Sequence, residues 1–363
     1  MINAAAFEPD YVIPPGEILE EYLTSLGMTQ RDLAARTGLT TKTINEIIKG
    51  KAPITAETAL KFERVLGRPA HFWQNLESLY QEARVREQEQ ARLSADLDWL
   101  KRFPVKEMIR LGWLPKAQDP VARLDTVLRF FGVSSVESWA AVWGGGEVAY
   151  RRSTRFQAHP EAVSAWLRRG EIQAQHIATV PFDKARFKAV LGQARGLTRE
   201  PPEVFQPRLI ELCASAGVAV VFVPELPKTC VSGATRWLTP EKALIQLSLR
   251  YKSDDQLWFT FFHEAGHVLL HGKREVFIEG DGADETKEHE ANRFAADFLI
   301  PPAAWREFVA KGRPTLAQVS SFAAQLGIAP GIVVGRLQKE EIYDYKVGNK
   351  LKRCFQWAQP QAD

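Results

Sequence analysis

The sequence predicts a multidomain protein with an all-α amino-terminal domain, a helical middle region and an α+β carboxyl-terminal domain. The first observation is length, because 363 residues are enough for two or three domains of ordinary size. The second is that residues 1–202 hold helical segments separated by glycine and proline turn signals. The third is that runs of β-branched residues appear only in the last part of the chain, where helices follow them.

Composition narrows the class of protein. Hydrophobic residues make up 45% of the chain and charged residues 25%, as is typical of globular proteins. No run of about 18 apolar residues is present and the amino terminus lacks a basic start, so neither a membrane span nor a signal peptide is expected. The three cysteines, Cys213, Cys230 and Cys354, are odd in number and widely spaced, which favours a reducing cytoplasm over a disulfide framework.

Residues 1–93 form the first predicted domain, and within it "GMTQRDLAARTGLTTKTINEIIKGKAPIT" (27–55) indicates two short helices and a tight turn. Thr29 is a good N-cap for the first helix, and Gly38 can end it in a left-handed conformation. Either Thr40 or Thr41 begins the second helix. Its isoleucines face inward and its polar residues outward, which is the layout of a helix-turn-helix.

The alternative to a DNA-binding helix-turn-helix is a generic helical hairpin, and the balance of charged residues does not exclude this alternative. Residues 1–94 hold eleven Lys and Arg against thirteen Asp and Glu, a balance that argues mildly against DNA binding. However, the pattern T-Q-x-x-L-A-x-x-x-G-x-x-x-x-x-I is similar to the Xre/Cro-type helix-turn-helix family. Within that family, residues 14–80 resemble the HigA antitoxin branch.

This resemblance implies binding to double-stranded operator DNA, as a homodimer on a two-fold site. It also raises a cognate toxin or a repressor protein as a further partner. The residues that it places against DNA lie on or beside the two short helices: Gln30, Thr40, Thr41, Lys42, Glu46 and Lys49.

Residues 94–202 are predicted as a helical linker or adaptor. Helical segments surround "PVARLDTVLRFFG", "SVESWAAVW" and "HPEAVSAWLRRGEIQAQHI", and "WGGGE" marks a break. The prolines of "LTREPPEVFQPR" (197–208) suggest a domain boundary. Residues 101–200 hold seventeen Lys and Arg against nine Asp and Glu, which fits a solvated helical face better than a nucleic-acid surface.

The third region, residues 203–345, is predicted to contain a small sheet followed by helices. "VAVVFVPEL" (218–226) has the β-branched composition of a buried strand, and "SGATRWL" and "KALIQLSL" follow as alternating strands. Two helices come next, in "LWFTFFHEAGHVLLHG" and "KEHEANRFAADFLIP". Residues 346–363 are predicted as a short basic tail.

The apolar helix of "LWFTFFHEAGHVLLHG" carries three ionisable residues that need a partner if they are buried. His263 and His267 are four residues apart, so both can reach one ion from the same helix face. Glu264 projects beside them and is a candidate general base of a zinc hydrolase, in the H-E-x-x-H arrangement. The alternative is a pair of core histidines bonded to the backbone.

A zinc hydrolase needs a third ligand, and the second helix offers Glu288 and Glu290. Each flanks the apolar stripe of that helix, so periodicity does not choose between them. His271 lies eight residues from His263, about 12 Å along a helix, and both cannot bind one ion. It is better interpreted as a residue that contacts a metal ligand rather than the metal, as a helix-end group or as a purely structural residue.

The paired segments "FTFFHEAGHVLLHGK" and "EHEANRFAADFLIPP" resemble the ImmA/IrrE family of zinc-dependent metallopeptidases, over about residues 203–340. The resemblance implies a zincin-like fold, a Zn²⁺ ion on His263, His267 and Glu290, and Glu264 as general base. The group that stabilises the oxyanion stays open. Its candidates are Tyr251, His271, His289 and Arg236.

Two functions remain open. The chain is predicted to be a DNA-binding regulator whose zinc endopeptidase domain cuts itself or a partner repressor in response to a signal. The alternative is a HigA-type antitoxin and autorepressor in which the metallopeptidase domain acts only as a sensor or interaction module.

Overall fold

We describe a computed structural model over residues 13–143, 159–272, 277–278 and 285–358. The chain divides into two compact units, Met1–Asp96 and Leu97–Asp363. The predicted break at "WGGGE" lies, after Trp143, outside the described residues.

The first unit is all-α, as predicted. Its core is formed by apolar residues of every helix, among them Leu33, Ile44, Phe62 and Trp73, which are completely buried. Its helices are α1 (Pro15–Ser25), α2 (Gln30–Thr37), α3 (Thr41–Ile48), α4 (Ala56–Leu66) and α5 (Ala70–Ala95). The polar stretch 84–92 lies in the second half of α5.

Local capping defines the α2–turn–α3 motif. Thr29 and Asp32 form a reciprocal capping box at the start of α2, and Gly38 ends that helix with a φ of 68°. Thr40 accepts the backbone N–H of Thr43 at 3.0 Å, so Thr40 is the N-cap and Thr41 the first residue of α3. The helix-turn-helix predicted from the sequence is therefore confirmed.

The second unit begins with helices. A 3-10 helix over Leu97–Arg102 is followed by α6 (Val105–Arg110), α7 (Pro120–Phe131), α8 (Val136–Val142), α9 (Pro160–Gln175) and α10 (Lys184–Gly196). Trp99, Phe103, Phe131 and Trp139 form an aromatic cluster with ring centroids 4.5–5.9 Å apart. This cluster joins the 3-10 helix to α7 and α8.

A mixed four-stranded sheet lies at the centre of the second unit. Its strands are β1 (Val218–Phe222), β2 (Gly233–Thr239), β3 (Lys242–Leu247) and β4 (Phe277–Ile278), in the order β1-β3-β2-β4. β1 and β3 are parallel, and β2 is antiparallel to both β3 and β4. The first three strands agree with the predicted segments, whereas the short β4 was not predicted.

The predicted boundary near residue 202 has no counterpart in the packing. The proline-rich segment opens α11 (Pro202–Ala214), and both α9 and α11 contact β1. The buried indole of Trp166 in α9 donates to the Val223 carbonyl at 3.0 Å, and Gln246 of β3 donates to the Trp166 carbonyl at 2.7 Å. Residues 94–202 were expected to be a separate linker, but from Leu97 onwards they belong to the same compact unit as the sheet.

After β3 the described part of the chain contains five further α-helices, with β4 between the first two: α12 (Asp254–Leu270), α13 (Glu285–Leu299), α14 (Pro302–Ala310), α15 (Leu316–Leu326) and α16 (Pro330–Lys339). Among them α12 is buried almost throughout, against the sheet, α13 and α16. Over the residues described, no single helix is long and apolar enough to span a membrane, and α15 with α16 meet the criterion only as a pair bent by 118°.

The segment expected to be a basic tail is packed as far as it is described. Phe355 lies in the core of the second unit, and Cys354 forms a β-bridge with Ser253. Lys352 pairs with the buried carboxylate of Asp255 at 2.7 Å. Arg353 likewise lies 3.5 Å from Asp254, so two of the basic residues of this segment have partners at the amino end of α12, whereas Lys346 and Lys350 are exposed.

Candidate metal centre

α12 brings the two histidines of the H-E-x-x-H pattern together inside the second unit. His263 and His267 are each 1% exposed, and their Nε2 atoms are 3.0 Å apart. The four-residue spacing on one helix produces this proximity. Two imidazole nitrogens so placed, with nearly all their surface removed from water, are suited to hold one ion.

Close packing against α12 at Gly266 brings α13 next to this histidine pair. A Cβ atom added at Gly266 of α12 would lie 3.2 Å from the Cα of Ala291 and 3.2 Å from the Phe294 ring. Small residues at the crossing thus let the two backbones approach. Glu288, one turn before Ala291 on α13, consequently reaches the imidazoles.

Glu288 completes the cluster. Its carboxylate oxygens lie 3.4 Å from His263 Nε2 and 3.3 Å from His267 Nε2. Among the residues described, these three side chains can each offer one ligand atom within 4.8 Å of the other two. Two imidazole nitrogens and one carboxylate oxygen form the donor set of a catalytic zinc site.

The protonation states of His267 and Glu288 favour the binding of a metal cation. Burial lowers the pKa of His267, and the neighbouring His263 and His271 lower it further against the opposing effect of Glu288. Burial also acts to raise the pKa of Glu288, but the hydrogen bonds and charges of the two histidines outweigh it and bring the pKa to about 2. A neutral imidazole and an ionised carboxylate are the forms that bind a metal.

Glu290, which the family resemblance gave as the third ligand, is not brought to this cluster. Its side chain is 57% exposed, and its Oε2 lies 3.0 Å from His271 Nε2. The physical reason is helical phase, because a residue two positions after Glu288 is turned by about 200° around the helix axis. The sequence left Glu288 and Glu290 equivalent, and only the packing of α13 on α12 separates them.

Glu264 occupies a space that β2 leaves open. It is 0% exposed, and a Cβ atom added at Gly233, the first residue of β2, would lie 2.6 Å from its Oε1. Thr235 of the same strand donates to the Glu264 carbonyl at 3.1 Å. Neither Gly233 nor Thr235 was predicted from the sequence as part of the site, although a glycine in a strand is a known signal of close approach.

The outer nitrogens of the two imidazoles also have partners. Asn292 Oδ1 lies 3.1 Å from His263 Nδ1, and His271 Nδ1 lies 2.9 Å from His267 Nδ1. Phe277 of β4 stacks on the His267 ring at a centroid distance of 4.2 Å. These contacts fix the ring orientations with both Nε2 atoms directed to Glu288. Neither Asn292 nor Phe277 was predicted from the sequence as part of the site.

Two of the four residues predicted as candidates for stabilising the oxyanion form contacts with other side chains. Arg236 pairs with Glu171 of α9 at 2.8 Å, and His271 bridges His267 and Glu290. Tyr251 and His289 are exposed.

The predicted DNA-contacting residues lie on α2 and α3 of the first unit. Thr40, Thr41, Lys42 and Lys49 are exposed, and Gln30 and Glu46 are half-buried. Lys42 and Glu46 lie one turn apart on α3, 3.8 Å from each other. All six thus belong to the turn and the two helices that a groove-binding motif uses.

Two family models match the chain, one in each unit. The model described as "Helix-turn-helix" matches residues 19–73, and the peptidase M78 model, described as "IrrE N-terminal-like domain", matches residues 217–338. A curated protein of Escherichia coli K12, the uncharacterized HTH-type transcriptional regulator YddM, is 30% identical over 89 residues, 24% of this chain and 88% of the relative. The chain therefore belongs to the helix-turn-helix regulator family in its first unit, and it carries an IrrE-like peptidase domain in its second.

Other similarities concern the first unit alone. Virulence-associated protein I of Dichelobacter nodosus is 42% identical over 69 residues, 19% of this chain, and the match spans 64% of that protein's length. The solved structure of the Pseudomonas aeruginosa antitoxin HigA with the higBA promoter is 30% identical, with a TM-score of 0.22, over 23% of this chain and 90% of that one.

Proposed function

We propose that this protein is a DNA-binding transcriptional regulator with a zinc-dependent endopeptidase domain that cleaves the chain itself or a partner repressor in response to a signal. The observation that carries the proposal is the convergence of His263, His267 and Glu288 beside the buried Glu264. Two imidazoles from one helix and a carboxylate from a second form the donor set of a catalytic zinc site. The peptidase M78 match over residues 217–338 supports the same activity.

In this mechanism His263, His267 and Glu288 would hold a zinc ion, which when bound would lower the pKa of a water molecule and polarise the peptide carbonyl. Glu264 is the general base, whose carboxylate would take up a proton from the attacking water and deliver it to the leaving amine. β2 positions Glu264 through the space left at Gly233 and through the Thr235 hydrogen bond to its carbonyl.

The regulator half of the proposal rests on α2 and α3. A homodimer places two α3 helices in successive major grooves of an operator, with Thr40, Thr41, Lys42 and Glu46 on the groove side. Gln30 and Lys49 contact the phosphate backbone. The similarity to an HTH-type transcriptional regulator supports this assignment.

The peptidase is tested with a single substitution that leaves the ligands intact. Zinc-loaded full-length protein is incubated with operator DNA and the products of neighbouring genes, and fragments are identified by mass spectrometry. Wild-type protein is expected to generate fragments and Glu264→Gln to generate none, while zinc content and DNA binding stay unchanged. Fragments formed at the same rate by Glu264→Gln would remove the general-base assignment.

The proposed binding of α3 to DNA is tested by gel shift on the promoter region of the protein's own gene. Thr41→Ala combined with Lys42→Ala is expected to weaken binding, because each contact to a base edge contributes about 1–3 kcal/mol. Lys61→Ala on α4, outside the DNA-contacting helix α3, is the control. A double variant with unaltered binding at moderate salt would contradict the placement of α3 in the groove.

A second function is favoured by the burial of the candidate centre. His263, Glu264 and His267 are almost fully enclosed, as suits a metal that serves as a sensor or a structural ion. In this alternative the chain is a HigA-type autorepressor, and metal occupancy alters DNA binding without proteolysis. Zinc removal would then change operator affinity equally in wild-type protein and Glu264→Gln.

A further inference from the structure

We propose that His271 and Glu290 form a positioning relay that orients His267 for metal binding. The inference rests on the proposed metal site and deepens it. A chain of hydrogen bonds runs from Glu290 on α13 through His271 at the end of α12 to the outer nitrogen of His267. The two residues are positioning residues because they act on the metal only through His267.

The backbone at the end of α12 places His271 for this role. His271 is the C-cap of the helix, with φ −112° and ψ 172°, and its own N–H still donates to the His267 carbonyl at 3.1 Å. The extended conformation turns the imidazole back along the helix. Its side chain is only 3% exposed, although His271 follows the last residue of α12.

The direction of each hydrogen bond in the relay follows from the number of N–H groups that each imidazole carries. If His267 binds metal through Nε2, its proton resides on Nδ1, and the 2.9 Å contact makes His271 Nδ1 the acceptor. A neutral imidazole has a single N–H, so His271 carries its proton on Nε2 and donates it to Glu290 Oε2 at 3.0 Å. One carboxylate thereby selects the tautomers of two histidines.

The arrangement also explains why α13 carries glutamates at both 288 and 290. Glu288 faces both Nε2 atoms, Glu290 supports His267 through His271, and Asn292 supports His263 directly at 3.1 Å. Phe277 lies against both rings of the relay, with centroids 4.2 Å from His267 and 5.2 Å from His271. Ligands held by such outer partners bind metal 10–100-fold more tightly than unsupported ones.

The test measures zinc affinity of the full-length apoprotein by competition with a chelating dye. His271→Phe keeps the ring shape and removes the acceptor, so its affinity is expected to fall about 10–100-fold. His271→Asn restores an acceptor oxygen near the Nδ1 position and is expected to recover most of that loss. Glu290→Ala is expected to weaken binding roughly tenfold, and Glu290→Gln, which still accepts the His271 proton, to weaken it less.

His289→Phe is the matched control, because His289 is an exposed histidine on α13 between the two glutamates. Circular dichroism and thermal unfolding of each apoprotein separate folding defects from affinity changes. The relay is overturned if His271→Phe binds zinc like wild type, or if His271→Asn is no better than His271→Phe. It is also overturned if His271→Phe loses zinc as completely as Glu288→Ala, since His271 would then be a ligand. If Glu288→Ala retains wild-type affinity, the metal site itself is wrong, which is a distinct result.

Discussion

At the scale of single residues, Gly233 is the position where a small change most directly affects the proposed chemistry. A Cβ atom there would lie 2.6 Å from Glu264 Oε1 and 2.5 Å from the Thr260 methyl group. Gly233→Ala is therefore expected to displace the Glu264 carboxylate and lower kcat/KM for fragment formation about 100-fold, with zinc content unchanged. Gly192→Ala is the control, because a Cβ at Gly192 meets nothing within 4 Å. Wild-type cleavage by Gly233→Ala would contradict the placement of the base.

The candidate site could be predicted from the sequence in part. His263, Glu264 and His267 follow from spacing along one helix, because periodicity fixes which residues share a face. The third side chain could not be chosen in this way, since it depends on how α13 docks against Gly266. Gly233 was missed for the same reason, because its contact with Glu264 joins segments about 30 residues apart.

At the scale of elements, the amino end of α12 predicts a pH dependence of stability. Burial, and next the charge of Asp255, raise the pKa of Asp254 to about 6, against the opposing contacts of Arg353. A raised carboxyl pKa means that the folded state binds more protons than the unfolded chain between about pH 4 and 6. The stability contribution of protonated Asp254 is therefore present at acid pH and lost as the pH rises through 6.

Comparison of wild type with Asp254→Asn isolates this effect. From pH 4 to pH 7 the free energy of unfolding of wild type is expected to fall by about 3 kcal/mol relative to the variant. Urea denaturation of the zinc-free protein at several pH values measures the difference. Parallel stability curves for the two proteins would show that Asp254 does not titrate in this range.

The capping box of α2 gives a second prediction at this scale. Thr29 accepts the Asp32 N–H at 3.2 Å, and Asp32 accepts the Thr29 N–H at 3.0 Å. Thr29→Ala is expected to lower the free energy of unfolding of the first unit by about 1 kcal/mol, and Thr29→Ser to lower it much less. Equal thermal midpoints for the alanine and serine variants would argue against a capping role.

The individual helices and strands could be predicted from the sequence more fully than the way in which they pack against one another. The caps Thr29 and Thr40 and the β-branched run at 218–222 are local signals, and the structure has the helices and the strand that they predict. β4 spans only Phe277–Ile278, too short for a periodic pattern. Proline density near residue 202 was interpreted as a boundary, whereas Pro202 begins α11 because proline is tolerated in a first helical turn.

At the scale of the whole molecule, the division at Asp96 predicts that each unit folds alone. The first unit has its own core of residues between Leu19 and Trp73, and the second has a separate core that extends to Phe355. A fragment of residues 1–96 is expected to show cooperative unfolding and operator binding. A fragment of residues 97–363 is expected to bind zinc with the affinity of the full chain. Loss of zinc binding in the second fragment would contradict the independence of the two units.

The central claim is that Glu288, together with His263 and His267, holds one divalent metal ion in the second unit. Elemental analysis of the full-length protein, purified after zinc loading and removal of free metal, tests it most directly. We predict about one zinc per chain in wild type and in Glu290→Ala, whose weakened site still fills at saturating zinc, and loss of the bound zinc in Glu288→Ala. Full zinc in Glu288→Ala, or loss of the bound zinc in Glu290→Ala, would contradict the account.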